Sequence, residues 1–254
     1  MPASDSRLLG LFYGELFRDP LFRDFFGGSG FANLGYWDGD VADGAAAGTR
    51  LVERVLGLAP GPRGRLLDVA CGEGATTRQL AGEADRITAV NLSLGQLRVT
   101  GRRAPGAQKA AMDAVELAFA DESFDTVTCF EAAFHFATRE RFLAEARRVL
   151  VPGGVLLLSD LLMAPGTPLS PPENRLAGAR AYRALLCAVG FEEVRVHDER
   201  ERIWDGFRRA FTRHVLARVR PTTAALAWRD LVACNVACSW AIRHCIVAAA
   251  RKPG

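Results

Sequence analysis

Lysine is almost missing from this chain of 254 residues: Lys109 and Lys252 are the only two, although lysine and arginine together number 32. With so much alanine, glycine and arginine, that scarcity reflects a GC-rich coding bias and carries no mechanism. No sign of charge dominates either. The 29 acidic side chains leave a formal net charge of +3, too balanced to mark a nucleic-acid partner. Apolar runs of the ~18 residues that span a bilayer are missing, and residues 1–7 lack a charged region leading into an apolar one, so a cytoplasmic protein without a membrane partner is expected. CxxC pairs are absent as well. The six cysteines, at 71, 129, 187, 234, 238 and 245, read as reduced, and Cys234, Cys238, His244 and Cys245 fit no zinc template, so no metal is expected.

What is present is an ordinary globular composition, 49% hydrophobic and 24% charged, long enough to bury a large core. There is no internal repeat. Leu8, Leu9, Phe12, Leu16 and Phe17 recur at helical spacing, and a second short helix should carry Phe22, Phe25 and Phe26. Asp43 is placed to cap a helix reaching about Leu58, which Pro60-Gly61-Pro62 ends. From Arg65 short apolar runs alternate with helical patterns: strands over 66–71, 87–91, 107–112, 126–130 and 155–161, with helices between, then a helix over 174–189 closed by Gly190 and a strand over 193–197. Residues 201–234 look helical with a break at Pro221, and 238–250 reads as a last strand. The expected fold is therefore α/β, a mostly parallel central sheet with helices on both faces, which binds ligands at the carboxyl ends of its strands. Residues 1–64 would form an N-terminal helical segment and 65–254 the core, with a helical lid at about 201–235.

The strongest local signal is Asp68-Val69-Ala70-Cys71-Gly72-Glu73-Gly74, an apolar strand containing an acid and ending in a glycine turn before a helix. Glycine lets backbone approach a ligand closely, and amides at a helix start favour an anionic group, so a nucleotide-like cofactor is implied. A nicotinamide-binding domain is weighed against this. Thr77 occupies the third glycine position of GxGxxG, and the acid precedes the turn instead of following it.

At these residues the chain resembles the class I S-adenosylmethionine-dependent methyltransferases, whose first motif has the form D-x-[GA]-C-G-x-G. The likeness continues through Val90-Asn91-Leu92-Ser93-Leu94-Gly95-Gln96, Met112-Asp113-Ala114, Ser123-Phe124-Asp125 and Arg147 to Gly154, in matching order, and covers roughly residues 33–200. Asn33 to Trp37 and Glu131 to Phe136 resemble the small-molecule branch, with its natural-product, sterol and tocopherol-type enzymes.

The resemblance implies S-adenosylmethionine as cofactor and a Rossmann-like fold. Gly72 and Gly74 would lie beside the methionine part, with Asp68 and Ala70 shaping the turn. Asn91, Leu92 and Gln96 would sit near the ribose, although Asn91 stands where many relatives have a carboxylate. Met112, Asp113 and Ala114 would hold the adenine, while Phe130, Glu131, Tyr13, Tyr36 and Trp37 would complete or close over the site. His135, whose unperturbed pKa lies near neutrality, is the candidate general base, and Asp160 could orient it or share its proton. The same residues also allow plainer roles: His135 as pocket lining and Asp160 as a cap.

Phe12, Tyr13, Phe25, Phe26, Phe31, Trp37, Trp204, Phe207, Phe211 and Trp228 would wall an apolar acceptor site or simply form core. The partner expected is a small apolar or aromatic methyl acceptor of a monomer or homo-dimer, methylated at oxygen first, with carbon and nitrogen open. The alternatives are a cofactor-binding cyclase or scaffold that transfers no methyl, and a nicotinamide-dependent oxidoreductase.

Overall fold

The computed structural model describes residues 19–39, 41–167, 170–222 and 224–254. Tyr13 and the first expected helix lie outside the described residues. Within them, local chemistry sets the elements. Asp19 accepts the Leu21 and Phe22 amides and Pro20 occupies the first turn, which starts α1 (Pro20–Phe25). Asp43 accepts the Ala46 amide at 2.8 Å and starts α2 (Gly44–Leu56), as the sequence predicts.

Strands β1 (Arg65–Val69), β2 (Arg86–Asn91), β3 (Gln108–Ala111) and β4 (Phe124–Phe130) follow, separated by α3 (Ala75–Leu80) and α4 (Leu94–Arg103). Thr138 caps α5 (Arg139–Val149), which leads into the long β5 (Leu150–Met163). Gly190, at φ 97°, ends α6 (Ala179–Val189), and β6 (Glu192–Asp198) comes next. The final strand is β7 (Ile242–Arg251).

These strands form one sheet in the order β3-β2-β1-β4-β5-β7-β6, parallel except for β7. Because β1 carries neighbours on both sides, β2 and β4, the strand order reverses there, and a crevice opens at its carboxyl end. Side chains alternate across the sheet. Leu66, Leu157 and Val247 join one core with α1, α2 and the helical insertion, while Leu67, Leu158 and Ile246 join the other with α5 and α6.

The insertion between β6 and β7 contains a π-helical turn (Glu201–Asp205), α7 (Gly206–Arg218), α8 (Ala224–Val232) and a second π-helical stretch (Ala233–Cys238). It runs further than expected: helical residues continue to Ala241, and β7 begins at Ile242, not at 238. The expected helix over 174–189 also differs. Pro172–Asn174 is a separate 3-10 turn, and the helix proper starts at Ala179 after Gly178.

Candidate active site

Asp68 is fully buried beneath the turn that follows β1. Its carboxylate accepts hydrogen bonds from Thr77 Oγ1 at 2.7 Å and Thr128 Oγ1 at 3.2 Å, so it braces the turn from below and shows no face to a ligand. Burial pushes its carboxyl up to about 6 against those two bonds. Ala70, Gly72 and Gly74 then take positive φ of 59°, 55° and 82°. The two glycines serve different ends. A Cβ on Gly74 would lie 2.7 Å from Thr100 Cγ2, so its hydrogen is what lets α4 approach; a Cβ on Gly72 would meet nothing within 4 Å and would project into the crevice.

At the end of β2, Asn91 and Gln96 bind each other, Nδ2 donating to Oε1 at 2.6 Å, while Asn91 Oδ1 accepts the Leu92 amide. Leu92 is 59% exposed at the crevice rim. After β3, Ala114 is buried, Met112 half-buried and Asp113 exposed, with one Asp113 oxygen accepting the Val115 amide at 3.1 Å. The expected cofactor residues of β1, β2 and β3 thus stand along one edge of the sheet, at its carboxyl end.

His135 follows β4 in the 3-10 turn Ala133–His135, its ring tilted by 37° against that of Phe134 with the centroids 3.7 Å apart. Asp160 does not serve it in the way the sequence suggested. One Asp160 oxygen accepts the Phe134 and Leu161 amides at 3.0 and 2.8 Å, and the other accepts Arg139 Nε at 2.6 Å and Tyr182 Oη at 3.0 Å. Four donors fill a carboxylate's acceptor sites. Asp160 is therefore the hub of a buried ion pair that holds the turn carrying His135 and is not free to share a proton. Burial pushes the Tyr182 phenol well up and keeps it a donor.

Asn174 completes the brace and was invisible to sequence reasoning. Its Nδ2 donates to the Phe134 and Phe136 carbonyls at 3.1 and 2.8 Å and lies 3.5 Å from that of Ala133, and its Oδ1 accepts the Arg139 amide at 2.7 Å. The guanidinium of Arg139 also donates to the Asn174 and Leu161 carbonyls.

The Asn33 to Trp37 segment meets the end of β4 through the Leu34 amide, which donates to Glu131 Oε2 at 2.8 Å. Tyr36 and Trp37 are turned elsewhere. Tyr36 is buried, and its hydroxyl donates to Glu199 and accepts from Arg202; Trp37 bonds the Leu34 carbonyl through Nε1 and packs on Gly206 and Phe25. Both stitch the N-terminal segment to the insertion. Phe25, Phe26, Phe31, Trp204, Phe207 and Phe211 are core, and Trp228 is 69% exposed and walls nothing.

Glu131 takes a positive φ of 48° at the end of β4, and its Oε1 is buried without a hydrogen-bond partner. Phe130 beside it is half-buried. Among the described residues neither Glu131 nor Asp68 has a cationic partner, and none forms a cluster able to hold a metal. Of the two, only Glu131 keeps an unpaired oxygen beside the strand that carries the glycine cradle, and a buried carboxyl without a counterion fits a ligand that brings positive charge.

A family model described as a methyltransferase domain matches residues 67–158. The O-methyltransferase cnsE of Penicillium expansum is 34% identical over 192 residues, 68% of this chain and 70% of that protein. The 27-O-demethylrifamycin SV methyltransferase of Amycolatopsis mediterranei is 34% identical over 64% of this chain and 62% of its own length. Among solved structures, that of the [4+2]-cyclase SpnF matches with a TM-score of 0.75 and 26% identity, covering 100% of this chain and 98% of its own. S-adenosylmethionine is the cofactor and a small molecule the acceptor. With its seven-stranded sheet, its glycine cradle and these relatives, the chain belongs to the class I S-adenosylmethionine-dependent methyltransferases.

Proposed function

We propose that the chain methylates an oxygen of a small natural-product-like acceptor, with His135 taking the hydroxyl proton. The observation that carries this reading is the fixed position of the His135 turn, clamped by Asn174 and Asp160 at the carboxyl end of the strand next to the glycine cradle. Two relatives named as O-methyltransferases support oxygen.

When bound, S-adenosylmethionine supplies a methyl group on a positively charged sulfur. Gly72 leaves room for backbone to lie against it. Met112, Asp113 and Ala114 hold the base, and the paired Asn91 and Gln96 face the ribose. Glu131 presents its one unpaired oxygen at the end of β4. The half-buried Phe130 and Met163 favour an apolar or aromatic acceptor, and they pack against the core shared by the N-terminal segment and the insertion. Alignment in such a pocket is worth ~7–11 kcal/mol, and removal of the proton adds a factor of ~10²–10⁴. The enzyme is a monomer or homo-dimer in this reading.

Full-length likeness to a [4+2]-cyclase favours one second reading, a cofactor-dependent fold that reshapes its acceptor without methyl transfer. Mass-detected methylation across phenols, sugars and amines separates the two. A methylated phenol or sugar supports O-methylation; a protein that binds the cofactor and methylates nothing on the panel turns the assignment to the second reading.

A further inference from the structure

We propose that Glu131 gives up its proton when S-adenosylmethionine binds, and that this makes the site prefer the sulfonium cofactor over the neutral thioether product. The inference rests on the cofactor assignment and extends it from binding to discrimination.

Strands β1 and β4 are neighbours, with Val69 opposite Cys129, so the glycine cradle and Glu131 leave the sheet side by side, about one strand spacing of ~5 Å apart. The Glu131 carboxyl is half committed. Oε2 is held by the Leu34 amide, and Oε1 is buried and unpaired. Among the described residues no cation acts on it: Asp160 and Ser159 come from β5, Cys245 from β7 with Arg200 acting on the Cys245 thiol, and the negative charge of Asp160 is already balanced by Arg139. An ionised Glu131 would therefore be a buried charge without a partner. Burial pushes its carboxyl up to about 8, against the Leu34 amide, which favours the ionised form.

A sulfonium carries a permanent positive charge whatever the pH. Brought to the adjacent strand end, it is the missing counterion, and the Glu131 proton passes to the buffer. The product's thioether is uncharged and gives Glu131 no such reason to ionise. Glu131 is thus a specificity-determining residue. Cofactor affinity should rise with pH by up to about tenfold per unit until the midpoint of the empty site is passed, while product affinity follows only the titration of its own amino group.

Titration calorimetry of S-adenosylmethionine and S-adenosylhomocysteine, at about pH 7.5 in two buffers of different ionisation heat, counts the protons directly. Wild type should release about half a proton or more in excess with the cofactor, and Glu131→Gln should abolish that excess and lower the cofactor-to-product preference about tenfold. Equal proton counts for the two ligands in wild type, or an excess that survives in Glu131→Gln, overturn the proposal while leaving the cofactor assignment standing. Should the variant fail to fold, wild-type affinities from about pH 6 to about 8.5 decide: diverging curves support the proposal and parallel ones overturn it. If wild type binds neither ligand, the cofactor assignment falls with it, an outcome distinct from equal binding.

Discussion

Gly74 shows how one hydrogen atom sets the distance between the cradle and α4. With φ at 82° and Thr100 Cα only 2.9 Å from where a Cβ would stand, Gly74→Ala must displace backbone. It should cost ~1–3 kcal/mol of stability and weaken cofactor binding, which a melting curve and a binding isotherm check together. His135 should behave in the opposite way. His135→Ala is expected to lower turnover by about two to four orders of magnitude and leave cofactor affinity almost unchanged; near-normal turnover at neutral pH would remove the base assignment. The buried acids predict the pH response of the empty protein. The Glu131 carboxyl is raised from its ordinary 4.5 to about 8 and that of Asp68 from 3.8 to about 6, so the folded state binds more protons than the unfolded one between those values. Stability from these groups is full below the unfolded values and is lost as pH climbs toward the folded ones. Melting temperature without cofactor should fall from pH ~6 to ~8, and Glu131→Gln should flatten that fall.

The short turn after β4 owes its shape to elements far from it in sequence. Asn174, from the 3-10 turn after β5, reaches back to carbonyls on both sides of His135. Asn174→Ala would leave those carbonyls and the Arg139 amide short of partners, at ~1–3 kcal/mol for each buried group that water cannot reach. Turnover should drop more than stability alone explains, with the midpoint of its pH profile displaced; an unchanged profile at full activity would show that the clamp is structural only. Such contacts also mark the limit of what the chain shows before folding. The alternation of strands and helices, the Asp43 cap and the glycine turn were legible because each is written in adjacent residues or in a repeating period. The Arg139, Asp160 and Tyr182 cluster was not, since its members lie 21 and 22 residues apart with no periodic sign. The contacts of Tyr36 and Trp37 were hidden for the same reason: their partners, Glu199, Arg202 and Gly206, lie more than 160 positions away.

Across the molecule, the N-terminal segment and the insertion meet around Phe25, whose ring lies 5.6 Å from Phe207, 5.2 Å from Phe211 and 5.7 Å from Trp37. Asp24 adds a charged contact to Arg218, and Asp19 another to Arg229. The Asp24–Arg218 pair is exposed on both sides and contributes ~0–1 kcal/mol, whereas Asp19 is buried and also caps α1, so the aromatic cluster carries much of the adhesion. Phe25→Ala should cost ~3–5 kcal/mol and loosen the N-terminal segment from the insertion before the sheet unfolds, which limited digestion would reveal. The insertion itself leaves the sheet after β6 and rejoins it at β7, two strands that lie against each other. Its ends are pinned by the scaffold, and the entropy of closing a loop grows only with the logarithm of its length. Evolution could therefore lengthen, trim or exchange this cassette without rewriting the cradle, so that a single ancestral engine could be refitted for new cargo.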